Sequence, residues 1–356
     1  MQREFRRLAG ATDVKRIPYD TLAAFCSSVF AARGLSADDA RYVGEIVTRT
    51  EAFGITTHGL RVMLAVAGRV GETIDPAAEP KVVAETAAAA TIDGAGVLGH
   101  LAMRRAVQLA TAKARDAGVA MVGVRNTSWI GAVGPFLIDV AEGGLLAMAT
   151  VQTASCKDCA PVGGVDARFS TNPIGLAFPT GGEPVVADFS TASYSMGRIG
   201  RMIRAGERAP EPIFLDAAGE LSDDPNVMRA GGSVLFTGGR HFGHKGYALS
   251  LWCEALTAVC GGSANNPDVA GGQSFTLTVI DPAAFAGADQ YLTEMKRFCA
   301  HVLSSRPLPG AGPVRLPGHR GFAALRQAKQ EGVPLDDDTL AKLKELGEAN
   351  GVTFAL

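Results

Sequence analysis

The chain has 356 residues, of which 47% are hydrophobic and 20% charged, and its formal net charge is −2. This composition is typical of a globular protein with two domains or one large one, and it excludes a disordered or fibrous chain. The near-neutral charge argues against a nucleic-acid partner, because neutralising a phosphate backbone takes an excess of Lys and Arg on one surface. Glycine is frequent, at 43 residues, which favours a pocketed enzyme with many tight turns over a helical bundle.

The sequence shows no targeting or membrane-spanning segment. No apolar run approaches the roughly 18 residues that a membrane span needs, and the opening residues lack the apolar stretch of a signal peptide. The six Cys are spread along the chain in apolar contexts, which is typical of reduced thiols. We therefore expect a cytoplasmic protein without a membrane partner.

One cysteine pair, Cys156 and Cys159, has the spacing of a metal or redox motif. A structural zinc site needs a second pair of ligands, and the sequence offers neither another CxxC nor an HxxxH. Two ordinary loop cysteines are the favoured interpretation, and we expect no metal.

The N-terminal part has the apolar periodicity of amphipathic helices. Asp20 is a candidate N-cap for the first helix, and Ser36 with Asp39 forms a capping box for the second. A polar break at residues 54–58 separates the second helix from a third. The predicted helices cover residues 20–33, 36–54 and 60–70.

From Lys81 onward the pattern changes to alternating strands and helices. We therefore predict an α/β or α+β protein with a helical part formed by residues 1–120 and 300–356, and a central α/β domain formed by residues 121–299. The predicted strands lie near 82–83, 91–92, 119–124, 145–151, 175–178, 185–187 and 275–280, and the predicted helices at 101–117, 247–259 and 335–346.

The stretch from Gly94 to Gly99 fits the G-x-G-x-x-G fingerprint and lies between a predicted strand and a predicted helix. That is the context of a dinucleotide-binding turn. Asp93 precedes it, however, and an anionic side chain opposes a bound pyrophosphate. Arg125 also stands where a ribose-binding carboxylate is expected, although an Arg could serve a 2′-phosphate. A glycine-rich turn of the scaffold is the alternative.

Two histidine-containing segments have residue types suited to catalysis and anion binding. His58 lies in a polar break beside Thr57, and its imidazole could donate a proton to a carbonyl oxygen or imine nitrogen; a capping or surface His is the alternative. The stretch 241–246 opens an apolar helix, where backbone N–H groups and Lys245 could bind a cofactor phosphate; a solvated Lys is the alternative.

Two runs of small hydroxyl residues, 170–173 and 188–193, flank predicted strands. Such turns can hold ribose hydroxyls or a substrate carboxylate, and they can equally be Asx or ST turns.

These segments, in this order, resemble the malate/L-lactate dehydrogenase family, whose members are NAD(P)H-dependent reductases of 2-oxo acids and cyclic imino acids and lack a Rossmann fold. The resemblance covers almost the whole chain. The segments that carry it are 57–59, 93–94, Asn126, 171–174, 188–193, 243–249, 280–282 and 317–318.

The resemblance implies a homodimer with a non-Rossmann fold, in which a helical N- and C-terminal part provides substrate and dimer contacts and a central mixed-sheet domain binds the cofactor. It assigns His58 as the proton donor with Thr57 as its relay, Thr171 as a substrate contact, and the Gly94–Gly99 turn as scaffold. The cofactor contacts that it implies are Trp129, Ile130, Gly131, Ala132 and Val133; Asp188, Phe189 and Ser190; His244 and Lys245; and Gly318, His319 and Arg320.

Three departures from the family pattern concern the substrate. Trp129 replaces a His near the nicotinamide, and the carboxylate-binding Arg falls on Val62, with Arg61 one position early. One residue on a helix is a rotation of about 100°. Arg198 stands where the family has an acidic or Lys residue. Either Arg198 replaces the lost carboxylate clamp with a bidentate contact, or the substrate is larger than a simple 2-oxo acid.

We therefore predict hydride transfer between NAD(P)H and the C=O or C=N carbon of a small molecule, with His58 supplying the proton. Arg125 and Arg320 favour NADP as the cofactor, and NAD stays open. A second hypothesis, motivated by the replaced His and Arg, is a family member that binds nucleotide or a partner without turnover. A zinc protein using Cys156 and Cys159 is a third.

Overall fold

The computed structural model describes residues 14–266, 268 and 272–354. Its elements in chain order are β1 (Lys15–Ile17), α1 (Tyr19–Ala32), α2 (Ala37–Ala52), α3 (Leu60–Val66), β2 (Lys81–Glu85), β3 (Ala89–Asp93), α4 (Gly99–Ala117), β4 (Val119–Thr127), α5 (Gly134–Glu142), β5 (Leu146–Thr153), β6 (Ile174–Phe178), β7 (Val185–Phe189), α6 (Met196–Ala205), β8 (Phe214–Leu215), β9 (Leu221–Ser222), β10 (Ser233–Val234), α7 (Gly239–Val259), β11 (Gln273–Ile280), α8 (Ala288–Leu303), α9 (His319–Glu331), β12 (Val333–Leu335) and α10 (Asp337–Ala349). Short 3₁₀ helices lie at Ala67–Arg69, Pro225–Ala230 and Pro282–Ala284.

The chain forms two compact units. One combines the chain up to Ala77 with the chain from Arg320 onward, and the other is Ala78–His319. The sequence placed the division near residues 120 and 300, whereas β2, β3 and α4 belong structurally to the second unit because they are part of its sheet and its packing. The roles expected of the two parts stay predictions.

The first unit joins the two ends of the chain. Strand β1 pairs antiparallel with β12, and the ring of Phe53 meets that of Phe322 edge to face at 5.1 Å. The Ser36 capping box is confirmed, since Ser36 Oγ accepts the Asp39 N–H at 3.2 Å. Asp20 is not the N-cap of α1: that position is Pro18, and Asp20 lies in the first turn.

The third predicted helix is shorter than expected. Helix α3 ends at Val66, and the 3₁₀ turn Ala67–Arg69 follows it.

The second unit is built on a mixed sheet with the strand order β2-β3-β4-β11-β5-β6-β7. Strands β3 and β4 run parallel and are joined by α4, while the other neighbouring pairs are antiparallel. Helix α5 packs on one face. A Cβ on Gly175 of that face would lie only 2.6 Å from Val133 Cγ1, so the close approach needs a glycine. The opposite face receives α7, whose end places Cys260 against Gly123. The buried strands therefore read as continuous apolar runs.

A smaller cluster supports the connections beyond β7. The rings of Phe169, Phe236 and Tyr247 lie 5.4–5.6 Å apart, and Cys159 is buried in the same cluster. Strands β8, β9 and β10 form a three-stranded sheet beside it. Ala192 and Phe236 belong to this cluster, and next to them the Thr237 N–H donates to Thr191 O at 2.8 Å.

Helix α7 begins at Gly239, well before the predicted Tyr247. Residues 239–246 contain Phe242 as their one large apolar side chain among Gly, His, Arg and Lys residues, so they carry no apolar periodicity that a sequence pattern could detect. Among the described residues, no helix is both long enough and apolar enough to cross a membrane.

Candidate active site

The Gly94–Gly99 turn belongs to a genuine β-α-β unit, but the protein itself fills it. The Asp93 carboxylate accepts the Ala95 N–H at 2.9 Å and the Asn126 side-chain amide at 3.1 Å. The Ala95 N–H makes the largest contribution to keeping the pKa of Asp93 below its usual value. This arrangement supports the interpretation of the turn as scaffold, because an ionised carboxylate already occupies the backbone donor that a phosphate would need.

Arg125 is committed to the same turn. Its Nε lies 3.2 Å from Asp93 Oδ2. A guanidinium that is paired with a carboxylate is a poor partner for a cofactor 2′-phosphate, so the structure weakens Arg125 as evidence for NADP.

The carboxyl end of β7 gathers several of the predicted cofactor residues. Asp188 Oδ2 accepts the N–H groups of Val133 and Gly134, both at 2.8 Å, and so ties the Trp129–Val133 segment to the strand. These are the donors that open α5, where a carboxylate is favoured. On the same strand, Val186 N–H donates to Pro317 O at 3.2 Å, which brings the Gly318 turn alongside.

Thr171 is held by the turn that follows β7. Its carbonyl oxygen accepts from Ser190 Oγ at 3.1 Å and from both the N–H and the Oγ1 of Thr191 at 3.0 Å. Ser190 Oγ also accepts the Ala192 N–H at 2.9 Å, which is an ST turn and one of the interpretations that the sequence allowed.

Helix α7 contacts the same turn through a glycine. A Cβ on Gly246 would lie 2.7 Å from Thr191 O and 2.8 Å from the N and O of Thr237. The neighbouring His244 and Lys245 are exposed. Lys245 Nζ lies 5.2 Å from the centroid of the Phe242 ring, and it pairs with no acidic side chain in the described parts of the chain.

A buried polar network fixes the backbone on the other side of Thr171. Asn172 has a positive φ of 34°, a conformation that costs energy for a residue with a Cβ. Its Nδ2 donates to Ser250 Oγ at 2.9 Å and to Glu254 Oε1 at 2.8 Å. These bonds anchor the Thr171 loop to α7.

Sequence reasoning missed Asp158. Its side chain is 8% exposed and accepts the Thr171 N–H, and burial raises the pKa of the carboxyl to about 6. The burial of Asp158 could not be predicted, because an acidic residue between two loop cysteines normally indicates a solvent-exposed position. Only the bridges of Cys159 to Phe169 and Val234 show that the segment is interior.

The first unit places His58 beside Thr57, as predicted: Thr57 Oγ1 and His58 Nδ1 lie 2.7 Å apart. The turn ends where α3 begins, and there Glu51 Oε2 accepts the Leu60 N–H at 3.0 Å. Glu51 is 8% exposed, and burial raises the pKa of its carboxyl to about 7. Glu51 was not among the sequence candidates.

The predicted substrate residues have different surroundings. Arg61 is exposed at the start of α3, while Val62 is 5% exposed and packs into the interior of its unit. Arg198 stacks on Tyr194, with its Cζ 4.7 Å from the ring centroid. Trp129 presents its indole to the surface at 47% exposure.

The cysteine pair shows no sign of reactivity. Cys159 is fully buried, and burial raises the pKa of the Cys156 thiol to about 11, which disfavours the reactive thiolate. Within the described ranges, no cluster of three or more His, Cys, Asp or Glu residues could hold a metal ion.

Comparisons with known proteins agree with this architecture. The model of the malate/L-lactate dehydrogenase family matches residues 17–344. The malate dehydrogenase of Pyrococcus abyssi is 29% identical over 347 residues, covering 95% of each chain. The Delta(1)-pyrroline-2-carboxylate/Delta(1)-piperideine-2-carboxylate reductase of Pseudomonas putida is 29% identical over 343 residues, covering 94% of this chain and 97% of that protein. The solved structure of malate dehydrogenase from Pyrococcus horikoshii has a TM-score of 0.86 at 27% identity, covering 97% of this chain and 98% of that one.

The fold and the comparisons define a nicotinamide-dependent oxidoreductase of mixed α/β architecture. The chain belongs to the malate/L-lactate dehydrogenase family.

Proposed function

We propose that the protein transfers a hydride between NAD(P)H and the carbonyl or imine carbon of a small 2-oxo acid or cyclic imine, with His58 as the proton donor. The observation that carries the proposal is the contact between Thr57 Oγ1 and His58 Nδ1, which fixes the ring orientation of an imidazole in a turn between two helices. Imidazole changes its charge near neutral pH, so it can give up a proton in the reductive direction and take one in the other.

The residues around the end of β7 have the chemistry to hold a nicotinamide dinucleotide. Exposed Lys245 offers a cation for a phosphate, and the exposed indole of Trp129 offers a flat apolar wall. We assign cofactor contacts to the segment 129–133, to 188–190, to His244 and Lys245, and to 318–320. The bound nicotinamide supplies the hydride. His58 supplies the proton that the oxygen or nitrogen needs when the carbon has been reduced.

The choice between NADP and NAD now rests on Arg320, since Arg125 is paired with Asp93. We propose NADP, with NAD as the alternative. The dissociation constants of the two reduced cofactors, compared between the wild type and Arg320→Ala, test this choice: the variant is expected to lose affinity for NADPH and to keep its affinity for NADH.

For the substrate we propose Thr171 and one arginine, either Arg61 or Arg198, as the groups that bind a carboxylate. The exposure of Arg61 and the stacking of Arg198 on Tyr194 are both compatible with a clamp. Arg61→Ala and Arg198→Ala identify the clamp, because its loss raises KM for the acid substrate far more than it changes cofactor affinity.

The central experiment is a panel of 2-oxo acids and cyclic imines assayed by the change in NADH or NADPH absorbance. His58→Ala is expected to lower kcat by about 100-fold to 10,000-fold, which is the usual contribution of a general acid. Its cofactor affinity, measured by calorimetry, is expected to stay unchanged. A His58→Ala variant as active as the wild type contradicts the proposal.

A second candidate is nucleotide binding without turnover. It is favoured by Trp129 standing where the family has His and by the buried Val62 standing where the family has Arg. Calorimetric binding of NADH or NADPH together with no turnover on the whole panel supports it.

We also propose that the protein is a homodimer located in the cytoplasm. The support for a second copy is the outer surface of α7, where Leu249, Leu251, Trp252 and Val259 are 41–73% exposed beside an apolar groove of about 470 Å³ over the sheet. Light scattering gives the mass in solution, and a monomer at micromolar concentration contradicts the proposal.

A further inference from the structure

We propose that Glu51 is a positioning residue for His58: it clamps the turn that carries His58 and, when ionised, places a negative charge beside that turn. This inference rests on the function proposed for His58 above. It concerns a residue of α2 that does not take part in the Thr57–His58 contact.

The clamp is visible in the backbone contacts. Glu51 Oε2 accepts the Leu60 N–H at 3.0 Å. Gly59 lies directly on the Glu51 residue, because a Cβ there would come within 2.6 Å of Oε2 and 2.8 Å of the Glu51 N. Glu51, near the end of α2, is thus in contact with Gly59 and Leu60, the two residues that follow His58. The turn cannot shift along α2 without breaking this bond or colliding with the carboxylate.

The burial of this carboxylate works against stability. Glu51 is 8% exposed, and its burial outweighs the favourable Leu60 N–H, so the pKa of the carboxyl rises to about 7. Because the pKa of Glu51 is higher in the folded state than in the unfolded one, the contribution of this residue to stability is fully present below about 4.5. It is lost as the pH rises through about 7. A neutral isostere would avoid this loss. A costly buried charge is more typical of a functional site than of a purely structural one.

Two charged groups from the described part of the chain act on the pKa of Glu51. Arg61, from α3, lowers its pKa, and Asp336, at the N-cap of α10, raises it. From α1, the thiol of Cys26 faces it, and the charge of Glu51 contributes to raising the pKa of that thiol. The one cation among them, Arg61, is exposed to solvent and so is screened. The ionised carboxylate therefore keeps a negative potential at the turn.

A negative potential favours the protonated form of a nearby imidazole. His58 immediately precedes Gly59, which touches the carboxylate. Above about pH 7, where Glu51 is ionised, its charge would favour the protonated imidazole of His58. The proton donor of the reduction then persists to higher pH.

The test uses Glu51→Gln in the full chain, since Gln retains an oxygen for the Leu60 N–H and removes the charge. Glu45→Gln is the matched control: Glu45 lies on the same helix, is exposed, and accepts a hydrogen bond from Tyr19 Oη at 2.7 Å. The measurements are the NMR titration of the His58 ring, the Tm at pH 5 and pH 8, and the pH profile of kcat/KM.

For Glu51→Gln we expect the pKa of His58 to fall, because the variant removes the negative charge beside its turn. The basic limb of kcat/KM should move to lower pH by the same amount, and kcat should fall about tenfold with little change in KM. The Tm at pH 8 should equal or exceed that of the wild type. Glu45→Gln should leave the His58 titration and the pH profile unchanged.

An unchanged His58 titration in Glu51→Gln overturns the inference. The inference also fails if Glu51→Gln lowers the activity of the His58→Ala variant by the same factor as it lowers that of the wild type. If Glu51→Gln does not fold, Glu51→Asp replaces it: that variant keeps the charge but withdraws it from Leu60, so it should lower kcat while largely preserving the His58 titration. A lower pKa of His58 in Glu51→Asp, matching that expected for loss of the charge, overturns the inference. The NMR titration needs no substrate, so it decides the role of Glu51 even where His58→Ala shows that the proposed function has failed.

Discussion

Three buried carboxylates accept hydrogen bonds from segments that carry candidate site residues. Glu51 lies against the turn that carries His58, and Asp158 accepts the Thr171 N–H. Glu254 accepts a hydrogen bond from the side chain of Asn172, the residue that follows Thr171. In all three, burial is the largest influence on the pKa and raises it. Each carboxylate fixes backbone that a sequence-predicted residue depends on, so the stability lost near neutral pH is concentrated where precise geometry is needed.

Asp158→Asn tests this cost at a single residue. The folded pKa of about 6 exceeds the ordinary value of 3.8, so the contribution of Asp158 to stability is fully present below about 3.8 and is lost as the pH rises through about 6. Asn keeps an oxygen for the Thr171 N–H and does not ionise. We expect the variant to be more stable than the wild type at pH 8, by up to about 3 kcal/mol, with the difference shrinking toward pH 4.

Urea unfolding at pH 4, 6 and 8 measures this difference. Asp166→Asn is the control, because Asp166 is exposed in the same loop and pairs with Arg168 at 2.7 Å. The control should change stability by only a few tenths of a kcal/mol at any pH. A destabilisation of Asp158→Asn that is equal at pH 4 and pH 8 contradicts the expectation.

At the scale of elements, the approach of α7 to the turn after β7 depends on the absence of a side chain at Gly246. In Gly246→Ala the new methyl group would lie 2.7–2.8 Å from backbone atoms of Thr191 and Thr237, which cannot rotate away. We expect a loss of about 1–3 kcal/mol in the free energy of unfolding from overpacking, together with weaker cofactor binding. The affinity falls because the same shift displaces Thr191, which holds Thr171.

Gly200→Ala provides a matched helical control. The nearest atom to a Cβ there is Arg204 Nη1 at 3.5 Å, which is an ordinary contact with a flexible side chain. Ala is the better helix former by up to about 1 kcal/mol, so this variant should be as stable as the wild type or more so. Denaturant unfolding and cofactor calorimetry compare the two, and equal behaviour of both variants would show that the close approach at Gly246 is unimportant.

The predictability of the elements follows the range of the interactions that form them. The Ser36 capping box and the buried strands β4, β5 and β11 were visible locally, since each depends on a few adjacent residues. The insertion of β11 between β4 and β5 was not, because its partners lie more than a hundred residues away in the sequence. For the Gly94–Gly99 turn, the sequence predicted only that the charge of Asp93 opposes a bound phosphate. The hydrogen bond from the Ala95 N–H to Asp93 became apparent in the structure.

The same reasoning explains which site residues were missed. Thr57 and His58 are neighbours in sequence, so their contact could be predicted. Glu51 and Asp158 act through backbone N–H groups of segments that only the fold brings to them. An isolated carboxylate on a helix or in a loop normally indicates a solvated surface, and nothing in its sequence neighbours distinguishes the buried exception.

At the scale of the whole molecule, the unit that contains His58 is assembled from both ends of the chain. Strand β12 is the partner of β1, and Phe322 covers Phe53 at the end of α2. Gly321 packs on the same ring, because a Cβ there would lie 2.1 Å from Phe53 Cε1. The second unit is continuous in sequence from Ala78 to His319 and contains its whole seven-stranded sheet. The two units therefore differ in how much they depend on the last part of the chain.

A chain that ends at His319 should lose the fold of the first unit and keep that of the second. Without β12, α10 and Phe322, helices α1 and α2 keep each other but lose the rest of their apolar contacts within the unit, and burial of apolar surface is the main source of their stability. Hydrogen exchange followed by mass spectrometry should show fast exchange over residues 19–66 and retained protection in β4, β5 and β11. Phe322→Ala in the full chain is the milder comparison, with an expected cost of about 3–5 kcal/mol confined to the first unit. Loss of protection in both units together would show that they unfold as a single cooperative body.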